Sequence, residues 1–218
     1  MTAVLTATGV EKSFGPERTV LDGIDIALLP GQLTVVHGAR DAGRSTLLRC
    51  LTGGYRPDAG HVVLERAAGS VDLAAADPRT LAWVRKHHIR DFAGPLAAPP
   101  SQDAASAAAR SAALERETAV AGLRRLGVAE LAEVPLGRLR RTARRAVALT
   151  AALLSQAAVV VLDEPDTAAD PERVLDWISE LRAGGTAVLA APSDAHPFIA
   201  RASASAILTE GKIQWTTQ

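Results

Sequence analysis

The sequence predicts an α/β fold: a mainly parallel sheet, an antiparallel β portion towards the N-terminus and an inserted helical segment. Three observations carry this. Leu33–His37 (LTVVH), Ala158–Leu162 and Thr186–Ala191 are short continuous apolar runs, the composition of strands buried on both faces. Helical patterns alternate with them along the chain, as crossover connections between parallel strands require. A glycine-bearing turn, residues 38–43, joins the first buried strand to a helix.

Taken in order, Val20, Ile24, Ile26 and Leu28 alternate with polar or small residues and form a half-buried strand, closed by the turn Pro30-Gly31. Leu33–His37 follows, then the glycine loop, then a helix from Ser45 to Leu51 (STLLRCL). His61–Glu65 (HVVLE) is a strand and Thr80–His88 a helix. Residues 94–103 are rich in Ala, Pro and Ser and read as a connector. From Ala104 the alanines and the spacing of Leu114, Val120, Leu123 and Leu126 favour helix, broken by Gly127, Pro135 and Gly137. Arg144–Leu154 is a second helix of this region, which sets a helical subdomain at about residues 94–145 within one domain spanning 1–218. A helix over Pro171–Arg182 starts with proline at its first turn. Ala206–Thr209 and Lys212–Trp215 pair around Glu210-Gly211 as a hairpin.

Composition narrows the function. Lys plus Arg and Asp plus Glu both number 24, so the net charge is +0 and nothing draws the whole chain to nucleic acid or an anionic membrane. Aromatic residues are 3%, too few for a base-stacking surface, so no nucleic-acid partner is expected. Cys50 is alone, which excludes an internal disulfide and fits a reducing compartment. The N-terminal stretch lacks a basic segment followed by an apolar run. The longest apolar stretch, Val147–Leu162, is interrupted by Ser155 and Gln156, as a buried helix followed by a strand would be. A cytoplasmic location is expected, or a peripheral one on the inner membrane face through a partner.

The loop Gly38 to Thr46 reads GARDAGRST. It matches the phosphate-loop pattern G-x-x-x-x-G-K-[ST] at Gly38, Gly43 and Ser45, with Arg44 where lysine is usual. Such a loop works through inward backbone N–H groups and a helix N-terminus, and those elements survive. Gly38, Ala39, Arg40, Asp41, Ala42, Gly43, Arg44, Ser45 and Thr46 are therefore the expected nucleotide-binding residues. The Ser45 hydroxyl is the expected first metal ligand and Thr46 a phosphate contact. Arg44 keeps the charge, but its planar guanidinium is no geometric copy of an ammonium. Downstream, Val159–Pro165 reads VVVLDEP, which puts Asp163 at the carboxyl end of a buried strand, where open α/β sheets bind ligands. Asp163 is the expected second metal ligand, and Glu164 the expected catalytic base for an attacking water.

With these motifs, and with PDAGHVVLE, RRAVALTAALL and DEPDTAADP in the same order, the chain resembles the ATP-binding cassette (ABC) ATPases over nearly its whole length. The strings VVHGARDAGRSTLLR, GYRPDAG and VDLAAADPRTLAWVRK are similar to the L subunit of the bacterial carbon–phosphorus lyase system for phosphonates. The resemblance implies a P-loop NTPase fold of ABC type, with ATP and Mg²⁺ as cofactors. It implies a homodimer, or a heterodimer with another ABC ATP-binding subunit, working with a membrane permease or a phosphonate-enzyme complex. It also implies that Phe14, in KSFG, stacks on adenine; the alternative is a core residue under the first hairpin.

Several positions depart from the family pattern. Gly94 stands where the family has a Mg²⁺-sensing glutamine, and Ser193 where it has a histidine that contacts the γ-phosphate, with His196 three residues on. The LSGGQ string that caps a partner's γ-phosphate becomes Leu139–Ala143 (LRRTA), with both glycines lost as Arg141 and Thr142. Asp170, which helps join protomers in the family, is kept. Arg138, Arg140, Arg141, Arg144 and Arg145 form a basic cluster, read either as a solvated helix start or as a surface for an acidic partner. The pattern predicts a cassette that binds Mg-ATP with weak or no hydrolysis. The alternatives are an active ATPase energising a transporter and an interaction module that has lost nucleotide.

Overall fold

The computed structural model describes residues 2–15 and 18–216. Two sheets stack around the phosphate-loop helix. The smaller has the order β2-β1-β4-β5, built from β1 (Leu5–Ser13), β2 (Thr19–Leu28), β4 (Ala59–Leu64) and β5 (Val71–Asp72), every pair antiparallel. The larger has the order β10-β9-β3-β8-β7-β6. Its strands β3 (Leu33–His37), β6 (Ile89–Phe92), β7 (Val159–Asp163), β8 (Ala187–Ala191) and β9 (Ala204–Thr209) run parallel, and β10 (Lys212–Thr216) closes one edge antiparallel. The helices are α1 (Arg44–Leu51), α2 (Pro78–His87), α3 (Ala104–Ala112), α4 (Arg116–Arg125), α5 (Arg141–Leu154), α6 (Pro171–Ala183) and α7 (His196–Ile199).

The apolar runs at β3, β7 and β8 are buried along nearly their whole length because both sheet faces are covered. On one face, Leu47 and Leu51 of α1 join Val36, Val161 and Leu189 of the large sheet and Leu5, Ile24 and Val62 of the small sheet in one core. On the other, α5 and α6 cover Val35, Val160, Leu162 and Val188. A third core is built mainly from alanines of α3 packed on α4 and α5. Small side chains let these helices approach closely. At Gly122 of α4 a Cβ would come within 2.9 Å of Thr150 and 3.1 Å of Leu154 and Trp177. Cys50 is fully buried in the first core, and burial pushes its thiol up to about 11, where it is inert. Among the described residues no helix is long and apolar enough to cross a membrane.

Most expected elements appear with shifted ends, and some of the observed elements carry no clear sequence signal. β1 escapes sequence reading because LTATGVEKS is largely small or polar, and Gly9, at φ 58, interrupts its register with both neighbours. β6 is four residues with two charged side chains, IRDF. The helical region from Ala104 is two helices, separated where Ala113 takes a left-handed conformation (φ 58). The helix expected from Arg144 begins three residues earlier, at Arg141. The Glu210-Gly211 turn has φ of 50° and 77°, the pair of positive angles a tight hairpin turn requires.

Candidate nucleotide site

The strand order decides where the chemistry sits. β3, β8 and β7 are adjacent and parallel, so the phosphate loop after β3 and the acidic pair after β7 emerge at the same sheet edge, with the end of β8 between them. The loop is held open by two glycines that nothing else could replace. A Cβ on Gly38 (φ 156) would lie 2.3 Å from the Leu208 carbonyl oxygen of β9. One on Gly43 (φ 100) would lie 2.8 Å from the Val20 side chain and 3.0 Å from its carbonyl oxygen. Gly43 caps α1 with no side-chain hydrogen bond, leaving first-turn N–H groups directed at the loop.

The cleft at this edge has a volume of about 430 Å³. Of the expected residues, Phe14, Arg40, Asp41, Gly43, Arg44, Ser45, Thr46 and Glu164 line it. Gly38, Ala39 and Ala42 shape the loop from behind and do not line the cleft. Asp163 lies below, where its carboxylate accepts a hydrogen bond from the Ser45 hydroxyl. Phe14 is 45% exposed, which removes the reading of it as a core residue under the hairpin. Its ring stands edge-to-face with Tyr55 at 5.6 Å, and Arg49 of α1 donates to the Tyr55 hydroxyl at 2.5 Å. Tyr55, Arg18 and Val20 also line the cleft and are not expected from the sequence; an aromatic in GYRPDAG carries no local signal for a cleft built by remote strands.

Arg44 crosses the end of β8. Its Nη1 donates to the Pro192 carbonyl at 2.6 Å and its Nη2 stands 3.9 Å from the Glu164 carboxylate. The arginine side chain is 13% exposed and that of Glu164 45%. The ion pair is therefore half-solvated and worth little, whereas the hydrogen bond to Pro192 fixes the guanidinium.

Glu164 is in a left-handed conformation, φ 50 and ψ 54, which costs a non-glycine residue about 1–2 kcal/mol. Neighbours hold it there. Its N–H donates to Ala191 O of β8 at 2.9 Å, and its carbonyl accepts from the Thr167 hydroxyl at 2.9 Å and from Arg145 at 3.1 Å. Arg145 also donates to the Asp163 carbonyl at 3.0 Å, with its guanidinium 4.8 Å from the Phe92 ring centre. The next loop is tied in as well, since Ser193 N–H and Asp194 N–H both donate to the Asp166 carboxylate, at 2.9 and 2.8 Å. His196 opens α7 and does not line the cleft, so the structure gives no support to its replacing the side chain absent at Ser193. Asp170 accepts from the Arg173 N–H and caps α6.

Burial raises the Asp163 carboxyl above its ordinary range and the Glu164 charge adds to this, against the Ser45 hydrogen bond and the positive charges of Arg44 and Arg145. A half-buried carboxylate beside a serine hydroxyl is a pair of hard oxygen donors, so these residues fit Mg²⁺. A raised folded pKa makes the ionised form cost stability, so this contribution worsens as pH rises from the unfolded value of 3.8 through the folded one. Asp163→Asn is therefore expected to raise the melting temperature of the ligand-free protein at neutral pH and to abolish the Mg²⁺-dependent part of nucleotide stabilisation. Thermal melts with and without Mg-ATP check both.

A family profile described as ABC transporter matches residues 21–167. The Phosphonates import ATP-binding protein PhnC 1 of Natronomonas pharaonis is 32% identical over 182 residues, covering 83% of this chain and 77% of that protein. The Aliphatic sulfonates import ATP-binding protein SsuB 1 of Rhizobium johnstonii is 35% identical over 181 residues, 77% of this chain and 58% of that protein. Among solved structures, the dimeric post-hydrolysis ATP-binding cassette MJ0796 bound to ADP and Pi superposes with a TM-score of 0.85 at 17% identity, over 98% of each chain, a likeness of fold. Motifs, strand order and relatives agree: the chain belongs to the ATP-binding subunits of the ABC transporter family.

Proposed function

We propose that this protein is a degenerate ABC subunit that binds Mg-ATP and turns it over weakly or not at all. Phe14 meets the adenine, the loop from Gly38 to Thr46 cradles the phosphates, and Ser45 and Asp163 hold Mg²⁺. The metal, when bound, neutralises phosphate charge; the chain's own residues orient the nucleotide and place Glu164 to accept a proton from water.

The observation that supports impairment best is the hydrogen bond from Arg44 to the Pro192 carbonyl, which ties the loop's cation to the end of β8 and must break before the guanidinium can turn to a phosphate. Gly94 brings no side chain to the cleft, and the Ser193 backbone is fixed by Asp166. Arg141 and Thr142 stand exposed at the start of α5, where the family has glycine. Losing one preorganised donor to developing charge commonly costs about 10²–10³ in rate, so several such losses bring turnover near background. The working unit is a dimer with itself or with another ABC subunit, at the cytoplasmic face, with a permease or a phosphonate-enzyme complex as the partner. The placement of Glu164 at the cleft favours the active-ATPase reading as the second choice.

Calorimetric titration with Mg-ATP and single-turnover hydrolysis, alone and with a partner subunit, test this. Saturable binding with turnover at background, unaffected by Glu164→Gln, is expected. Robust turnover lost in Glu164→Gln establishes the active ATPase instead, and absence of binding establishes an interaction module.

A further inference from the structure

A second cavity lies at the opposite end of the sheet from the nucleotide cleft, beside the start of β6. It has a volume of about 290 Å³ and is formed where the C-terminal ends of α2, α3 and α5 converge. Lys86, His87, Arg90 and Arg110 line it, with Ser111, Ser155 and Gln156 as neutral hydrogen-bonding groups, and no carboxylate does. In a chain whose charges balance at +0, this is a local excess.

The cations here are not spoken for. Among the described residues neither Lys86 nor Arg110 forms an ion pair, and Arg90 makes only a long bond, 3.4 Å, to the Lys86 carbonyl. The Arg90 Nε is buried without a partner. The neighbouring Asp91 carboxylate is engaged by Arg85 at 3.5 Å. Burial lowers the Arg90 pKa, with the charge of the adjacent Asp91 acting against it.

The plain explanation is that basic residues complement helix C-termini. Its magnitude falls short. Each helix end carries roughly half a negative charge, so three give about −1.5. Lys86, Arg90 and Arg110 carry three permanent positive charges, before any protonation of His87. Part of the helix-end charge is already used, since the Ser155 hydroxyl and the N–H groups of Ala113 and Leu114 cap terminal carbonyls. A net positive cavity remains.

We propose that this cavity is a binding site for a phosphoryl group carried by a small soluble molecule, separate from the nucleotide cleft. A dianion with three acceptor oxygens matches the three cations, the Ser111 hydroxyl and the Gln156 amide better than a carboxylate, which would leave charges unmet. The volume, about 290 Å³, admits a compact ligand. The walls belong to α2 and β6 on the sheet side and to α3 and α5 on the helical side, so occupancy ties the two together.

The test is titration of ¹⁵N-labelled protein with inorganic phosphate, followed by two-dimensional NMR, with sodium chloride matched in ionic strength as control. Saturable shifts are expected at the amides of Ser111, Ser155 and Gln156, in addition to any at Gly43–Thr46. Arg110→Gln should weaken the first set about tenfold and leave the second unchanged. Lys86→Gln, on the exposed end of α2, should do the same and serves if Arg110→Gln does not fold. Shifts confined to the phosphate loop, or shifts that chloride reproduces, overturn the proposal. Arg110-dependent co-sedimentation with phosphatidic acid vesicles, with no response to free phosphate, overturns its assignment to a soluble ligand. None of these outcomes depends on whether the nucleotide cleft hydrolyses ATP.

Discussion

Arg44→Lys is expected to tighten Mg-ATP binding by about tenfold, and Arg44→Ala to weaken it by about ten- to a hundredfold. The asymmetry follows from what Arg44 holds in the ligand-free protein. Its hydrogen bond to Pro192 O, at 2.6 Å and largely shielded from water, is charge-assisted and must break before the guanidinium can turn to a phosphate. A bond of that kind contributes about 1.5–3 kcal/mol net. Lysine has a compact head without the fork that spans from Pro192 to Glu164, so it leaves the tether while keeping the charge. Alanine removes both, and the phosphates lose a cation. Calorimetric affinities of the three proteins decide the matter; a lysine variant that binds no better shows that the tether costs nothing.

Arg145→Ala is expected to lower folding stability by about 3 kcal/mol, a fall in melting temperature of roughly 6–12 °C for a chain of this size. The guanidinium donates to two carbonyls, of Asp163 and Glu164, and lies over the Phe92 ring. Truncation leaves those carbonyls without that donor and removes one of the contacts that hold Glu164 at φ 50. Arg145→Lys should recover only part of the loss, because one ammonium cannot reproduce the paired donation with the ring contact. Thermal melts of both variants check this. A mere surface arginine would give a change within about 0.5 kcal/mol.

The role of Arg145 is not legible in the order of residues. There it is one of five arginines in a basic cluster, which fits a solvated helix start or a partner surface equally well. Packing separates them: Arg144 donates to the carbonyls of Leu136 and Leu139, Arg145 braces the acidic pair, and Arg141 stays exposed. Tyr55 is silent for the same reason, since its place beside Phe14 depends on a strand more than forty residues away in the chain. β1 is hidden because glycine and threonine dilute its alternation, although it pairs with a neighbouring strand on each side.

The information carried by the chain alone is local and chemical. Apolar runs mark the buried strands β3, β7 and β8. Glycines at 38 and 43 mark a loop that no larger residue could form, and VVVLDEP marks an acidic pair at a strand end. Against the family pattern that the chain resembles, Arg44, Gly94, Arg141, Thr142 and Ser193 read as departures from their places in the motifs alone. What those residues do to one another comes from the tertiary arrangement. Parallel pairing in the order β3-β8-β7 brings two distant strand ends to one edge, and only across that edge can Arg44 reach Pro192 and Glu164. A spacing along the chain names the groups; the sheet order, set by burial of both faces, sets the distances between them.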